Sequence, residues 1–73
     1  MDPQIQLLDV VALTADVPEH GLERGQVGTV VEILAPERYD VEFCDDGGRT
    51  YALVALRPDQ LLVLRYNPRQ AAE

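Results

Sequence analysis

Two glycines at the start of a β-branched run constrain the fold of this chain more than any other feature. Gly25 and Gly28 stand three residues apart and lead directly into Thr29, Val30 and Val31. Glycine permits sharp bends and close backbone approach, and within a strand it marks a bulge or a tight corner. The spacing therefore predicts the second strand of a small sheet that bends strongly enough to form a barrel.

Apolar residues along the rest of the chain favour short strands. The clearest period of two lies in residues 38–44, where Tyr39, Val41 and Phe43 share one face and Asp40 and Glu42 share the other. The register of the second strand stays open, because its apolar residues do not alternate cleanly and a bulge would shift them. The predicted strands are residues 9–14, 27–34, 38–44, 49–56 and 61–66.

The segments between these strands complete the pattern. Residues 15–26 contain a cluster of strand breakers and predict a long loop. Asp45-Asp46-Gly47-Gly48 is typical of a hairpin, and Arg57-Pro58-Asp59-Gln60 of a short helical turn. The predicted fold class is all-β: a small five-stranded SH3-like barrel with a 3-10 turn before the last strand. Such bending protects the edges of a small sheet.

The length and composition limit the domain organisation. Seventy-three residues predict a single domain, 1–73, with a lead-in at 1–8 and a flexible tail at 67–73. The single cysteine rules out an internal disulfide, and with only one histidine we expect neither a metal site nor a cofactor. No leader pattern and no apolar run of about 20 residues is visible, which favours a cytoplasmic protein.

The charge excludes further classes of function. The chain carries 13 acidic and 6 basic residues, a net charge of −7. Nucleic-acid binders cluster lysine and arginine, whereas the basic residues here are dispersed arginines, so we expect no nucleic-acid partner. Lysine, serine and tryptophan are absent from the sequence. Because this removes serine nucleophiles and Schiff-base lysines, we expect no enzymatic activity.

Three sequence phrases carry a resemblance to a known family. They are Leu22-x-x-Gly25-x-x-Gly28-x-Val30-Val31, Tyr39–Phe43 and Thr50–Val54. Over roughly residues 9–63 the chain resembles a bacterial family of small uncharacterised proteins, domain of unknown function 4926. The resemblance implies an SH3-like barrel and brings no assigned activity. The glycine phrase is also similar to the KOW element of ribosomal and transcription factors, but RNA-binding KOW proteins are usually basic.

Several residues are candidates for chemistry. Asp45 and Asp46, with Glu42, could act as paired carboxylates or bind a cation, but a hairpin tip is open to water and lacks the spacing of a calcium loop. We therefore interpret the aspartates as turn residues. His20 and Cys44 could form a dyad, although the sequence favours a loop histidine and a small strand residue.

The few aromatic residues are best explained by core packing. A polyproline-binding groove or a base-stacking platform needs several exposed rings, commonly including tryptophan. This chain has four aromatic residues, and we expect Phe43 and one or two of the tyrosines in the core. The four are Tyr39, Phe43, Tyr51 and Tyr66.

An apolar outer face is the strongest functional signal. The predicted first, fourth and fifth strands are apolar on both faces, whereas a small barrel needs only one apolar face. A large exposed apolar patch usually marks a partner or an oligomer. The alternative is that the lead-in folds over this band through Ile5, Leu7 and Leu8. The predicted partner-binding residues of the band are Leu53, Val54, Leu56, Leu62 and Leu64.

The resulting hypothesis is a non-catalytic, acidic protein-interaction module. The loop residues Asp16, Glu19 and Glu23 would meet a basic protein partner. One specific form is an antitoxin- or immunity-like protein that covers a basic site on an enzyme. The alternative is a homo-oligomer or an accessory subunit of a larger complex, with the fifth strand at the interface. A KOW-like association with nucleic acid is the weaker third reading, because it rests on fold analogy.

Overall fold

A computed structural model describes residues 5–65 and shows an all-β domain of five antiparallel strands. Short 3-10 turns occupy Pro18–His20 and Pro58–Gln60. The predicted five strands and the 3-10 turn before the last one are confirmed. The last strand ends at Val63 rather than Tyr66, and the predicted tail lies outside the described residues. The strands are β1 (Val10–Leu13), β2 (Val27–Ala35), β3 (Arg38–Cys44), β4 (Thr50–Leu56) and β5 (Leu61–Val63).

The strands form one sheet in the order β4-β3-β2-β1-β5. The first and last strands are neighbours, with Val11 opposite Val63. The sheet edges are therefore β4 and β5, and within residues 5–65 no hydrogen-bonded ladder joins them. Between residues 5 and 65, no helix is long and apolar enough to cross a membrane.

One hydrophobic core collects the inward side chains of all five strands. Phe43, Val41, Val30 and Val11 have no exposed surface. Tyr39 packs against them and is half-buried, which confirms the predicted inner face of β3. Because every strand contributes to the same cluster, the sheet must curve around it. The buried members are Val11, Leu13, Val17, Leu22, Val30, Val41, Phe43, Val54, Leu56 and Leu61.

Two irregularities in β2 explain why its register could not be read from the sequence. Val30 pairs with Val41, but the next pair joins Glu32 to Asp40, so Val31 is an extra residue in a bulge. A second shift follows Ile33. A bulge places two residues opposite one and breaks the period of two. As a result β2 is 9 residues long yet contributes few buried side chains.

The long loop between β1 and β2 is folded onto the core. Val17 and Leu22 form an isolated antiparallel bridge with hydrogen bonds of 2.8 and 3.1 Å, and both are almost fully buried. Gly21 ends the intervening 3-10 turn with φ of 68°, a left-handed conformation that glycine adopts without strain. The sequence predicted a loop here but not that two of its residues would join the core.

The same loop bridges the space between the two sheet edges. At its start, Thr14 donates its backbone N–H to the carbonyl of Gln60 and its hydroxyl to that of Asp59. At its end, the side-chain amide of Gln26 donates to the hydroxyl of Tyr51, at 3.0 Å. Contacts from this loop therefore reach both β4 and the turn before β5, where no ladder closes the sheet.

The described part of the lead-in runs along β2. Leu8 donates its backbone N–H to the carbonyl of Val30 at 2.7 Å, and Ile5 packs against the core cluster. Leu7 and Leu8 are 55% and 68% exposed. Their side chains therefore do not form the lid considered from the sequence, and residues 1–4 lie outside the described residues.

Candidate functional site

The outer face of the sheet carries an apolar patch across β5, β1 and β2. Strand register places Leu62 opposite Ala12, and Ala12 opposite Val27. Leu62 is 57% exposed and Val27 45%. Two residues beyond Leu62, Leu64 donates its backbone N–H to the carbonyl of Val10, which lies two residues before Ala12. We call this set the outer patch: Val10, Ala12, Val27, Leu62 and Leu64.

Val54 and Leu56, two of the predicted partner-binding residues, face the core, so the prediction that they lie on the outer face is wrong. Val54 pairs with Val41, Leu56 pairs with Tyr39, and both residues are buried, at 6% and 2% exposure. Paired residues in an antiparallel sheet share a face, so the inward side chains of β3 fix those of β4. The sequence of β4 is apolar on both faces, so its own pattern could not decide between them.

Leu53 does face outward, at 58% exposure, but it stands apart from the outer patch. It pairs with Glu42, and Glu42 pairs with Thr29 on β2. This polar row separates β4 from β5, which lie at opposite edges of the sheet. The predicted apolar band is therefore split, with Leu62 and Leu64 on one side and Leu53 on the other.

The three acidic residues predicted to meet a basic partner all lie in the loop between β1 and β2. Asp16, Glu19 and Glu23 are all exposed, in the loop that joins the end of β1 to the start of β2. The carboxylate of Asp16 accepts the backbone N–H of Arg24 at 2.8 Å, which fixes its position. Asp16 and Glu23 also line a shallow depression of about 260 Å³. The loop that follows Ala12 and precedes Val27 in the chain therefore carries exposed negative charge.

A second concave region, which we call the polar groove, lies between this loop and the turn before β5. It encloses about 110 Å³. Its apolar wall comes from Val17 and the end of β4. The polar side chains that line it are Glu19, His20, Arg38, Arg57 and Gln60. The sequence did not reveal this groove, because its arginines come from distant segments and only the folded chain brings them together.

Arg57 is held in place by the 3-10 turn that follows it. Its guanidinium contacts the carboxylate of Asp59 through two hydrogen bonds, at 3.0 and 3.3 Å. This hydrogen bonding, together with the positive charges of Arg57 and Arg38, holds the pKa of Asp59 below its ordinary value. The backbone N–H of Arg57 donates to the side-chain oxygen of Gln60 at 2.8 Å. Both lining residues are thus oriented by local bonds.

Of the candidate carboxylates in the β3–β4 hairpin, Asp45 is engaged in turn formation. One oxygen of Asp45 accepts the backbone N–H groups of Gly47 and Arg49, each at 2.9 Å. Glu42 accepts a short hydrogen bond from the hydroxyl of Thr50. Among residues 5–65, no three histidine, cysteine, aspartate or glutamate side chains are grouped as metal ligands.

The conceivable dyad of His20 and Cys44 is not assembled. Cys44 is exposed and pairs with Thr50 at the first residue of β4, and its sulfur lies 3.7 Å from the threonine hydroxyl. His20 instead lines the polar groove with Leu56, the last residue of β4. Six residues of strand correspond to about 20 Å. The structure therefore places the two side chains near opposite ends of the domain.

Comparison with known proteins identifies a family and gives no functional precedent. No curated protein and no solved structure matches the chain. The model of one protein family, described as a domain of unknown function (DUF4926), matches residues 7–63. These residues include all five strands, the long loop and both 3-10 turns. The chain therefore belongs to the domain of unknown function 4926 family.

Proposed function

We propose that this domain is a non-catalytic module that binds a protein partner through the outer patch. The observation that carries the proposal is the outward row formed by Leu62, Ala12 and Val27, in which Ala12 and Val27 belong to the two strands that the acidic loop connects. Contiguous exposed apolar surface often marks an interaction site. A central apolar contact surrounded by charged residues is also the usual composition of a protein interface.

The charge of the loop supports a partner with a basic surface. Asp16, Glu19 and Glu23 are exposed, and the whole chain carries a net charge of −7. Complementary charge accelerates association and selects among partners more than it adds affinity. An antitoxin- or immunity-like protein that covers a basic site on an enzyme is one form of this function.

The non-catalytic part of the proposal rests on how the reactive side chains are used. Asp45 accepts two backbone hydrogen bonds, while His20 and Cys44 lie far apart. Without serine or lysine in the sequence, few nucleophiles remain. A free, exposed Cys44 is in keeping with a reducing compartment, so we propose a cytoplasmic location.

The test is capture of the partner by the tagged full chain from extracts of the native cell. Leu62→Glu places a charge in the centre of the outer patch, and we expect it to abolish recovery of a stoichiometric protein. Leu34→Glu is the matched control, because Leu34 is 49% exposed near the β2–β3 turn, outside the patch. The proposal fails if no stoichiometric partner is recovered, or if both variants retain the same partner.

The free edge of β5 favours a homo-oligomer as the second candidate. This strand has 3 residues, and within the described residues only β1 pairs with it. An unpaired edge can extend a sheet into another copy of the chain, and Leu62 would be buried beside it. Sedimentation of the full chain distinguishes the two: a monomer at high concentration excludes the oligomer and leaves the hetero-partner proposal in place.

A further inference from the structure

We propose that the polar groove binds an oxyanion, a carboxylate or phosphate group, through Arg38, Arg57, Gln60 and His20. This site shares Glu19 with the acidic loop but no residue with the outer patch, and it does not depend on the proposed protein partner. Guanidinium groups present several N–H donors in a planar fork that matches the oxygens of both kinds of anion. The groove is one place where two arginines line the same cavity.

The lining of the groove supplies more donors than acceptors. Arg57 uses Nε and Nη2 on Asp59, and Arg38 uses Nη1 on the carbonyl of Glu37, so each guanidinium keeps further N–H groups. The side-chain oxygen of Gln60 already accepts the backbone N–H of Arg57. The amide nitrogen of Gln60 therefore remains as a hydrogen-bond donor for a ligand. An anion brings further acceptor oxygens to a lining in which Glu19 is the carboxylate.

The donors on the turn side are preorganised. Arg57 precedes the Pro58–Gln60 turn and Gln60 is its last residue, and the capping hydrogen bonds fix both residues. Thr14 anchors the same turn to β1 with two further hydrogen bonds. Donors held in place before binding lose little conformational entropy when the ligand arrives.

The size of the groove suits a small anion. The groove has a volume of about 110 Å³ and is partly open to solvent, which leaves room for a phosphate or carboxylate group. A larger ligand would place only its anionic group here.

The negative net charge of the chain does not preclude such a site. Charges further away than about 10 Å are largely screened at ordinary salt concentrations, so the nearest side chains dominate. Asp59 is already paired with Arg57, which leaves Glu19 as the carboxylate that opposes an incoming anion. The proposal therefore predicts opposite effects for substitutions of Arg38 and Glu19.

The test is an NMR titration of the ¹⁵N-labelled full chain at constant ionic strength, with inorganic phosphate and acetate as separate probes. We expect saturable shifts at His20 and residues 57–60. Arg38→Gln should weaken binding about tenfold, the loss typical of one charge-assisted hydrogen bond. Glu19→Gln should strengthen binding. Saturation by phosphate alone identifies a phosphate site, and saturation by acetate identifies a carboxylate site.

Arg49→Gln is the matched control, because it removes the same charge from the β3–β4 hairpin, away from the groove. It should leave the affinity unchanged. Thermal unfolding of each variant shows whether the fold is retained. Arg38 is substituted rather than Arg57, because Arg57 caps the Pro58–Gln60 turn and its loss could disturb the fold. The proposal is overturned if Arg38→Gln and Arg49→Gln weaken binding equally, or if neither phosphate nor acetate shows saturation.

Discussion

Gly28 lies directly against the backbone of Glu42 on the neighbouring strand. A Cβ atom added to Gly28 would stand 2.8 Å from the carbonyl oxygen of Glu42 and 2.7 Å from the side chain of Val41. Real Cβ atoms essentially never approach other atoms so closely. The second glycine of the Gly25-x-x-Gly28 phrase is thus required for the close packing of β2 against its neighbour β3.

The first prediction is that Gly28→Ala destabilises the domain by about 1–3 kcal/mol, the usual cost of overpacking. The added methyl group must displace a backbone carbonyl, which cannot rotate away as a long side chain can. Gly47→Ala is the control, because its Cβ would meet only a carboxylate oxygen of Asp45, at an ordinary 3.5 Å. Urea unfolding measures both, and equal free energies of unfolding would contradict the close packing.

The second prediction compares two leucines on β4. Leu56→Ala removes a side chain that is 2% exposed and should cost about 2–5 kcal/mol, enough to unfold much of a small domain. Leu53→Ala makes the same chemical change at 58% exposure and should alter stability by less than about 0.5 kcal/mol. Thermal unfolding checks both values. A large loss at Leu53 would mean that its side chain is covered in solution.

Local patterns in the sequence predict much of this fold. β3 was predicted with its observed bounds, Arg38–Cys44, because its polar and apolar residues alternate and only one face can enter the core. The β3–β4 hairpin and the Pro58–Gln60 turn were predicted because aspartate, glycine and proline have specific backbone preferences. These segments depend little on contacts with the rest of the chain.

The features that sequence reasoning missed depend on pairing between distant residues. The inward side of β4 follows from the pairing of Val54 with Val41. The register of β2, left open by the sequence, is set by the bulge at Val31 opposite Asp40. Burial of Val17 and Leu22 needed the closure of a bridge inside the loop. The polar groove likewise exists only after folding, so its dispersed arginines gave no signal in the sequence.

The third prediction concerns Asp45 in the hairpin. Asp45→Ala removes an oxygen that accepts two backbone N–H groups and should destabilise the domain by about 1–2 kcal/mol. Asp45→Asn retains an acceptor oxygen in the same position and should recover most of that loss. The measurement is again urea unfolding. If the asparagine variant were as unstable as the alanine variant, the charge rather than the turn geometry would be the important property.

The fourth prediction concerns the acid stability contributed by Asp59. The hydrogen bonds from Arg57 lower the pKa of this carboxyl in the folded chain, whereas in the unfolded chain it titrates near 3.8. The folded state therefore favours the ionised form. The resulting contribution is complete above the unfolded pKa and is lost as the pH falls through the lower, folded pKa. Because both side chains are exposed, we expect a small effect that high salt reduces.

Asp59→Asn should accordingly flatten the decline of stability between about pH 5 and pH 2. The free energy of unfolding is measured by urea titration at several pH values across this window. Asp46→Asn is the control, because it removes the same charge from an exposed position in the hairpin, away from Arg57. It should leave the slope of the parent chain nearly intact. If Asp59→Asn retained that slope as well, the Arg57–Asp59 pair would not persist in solution, and Arg57 would be free to turn both edges of its guanidinium toward the polar groove.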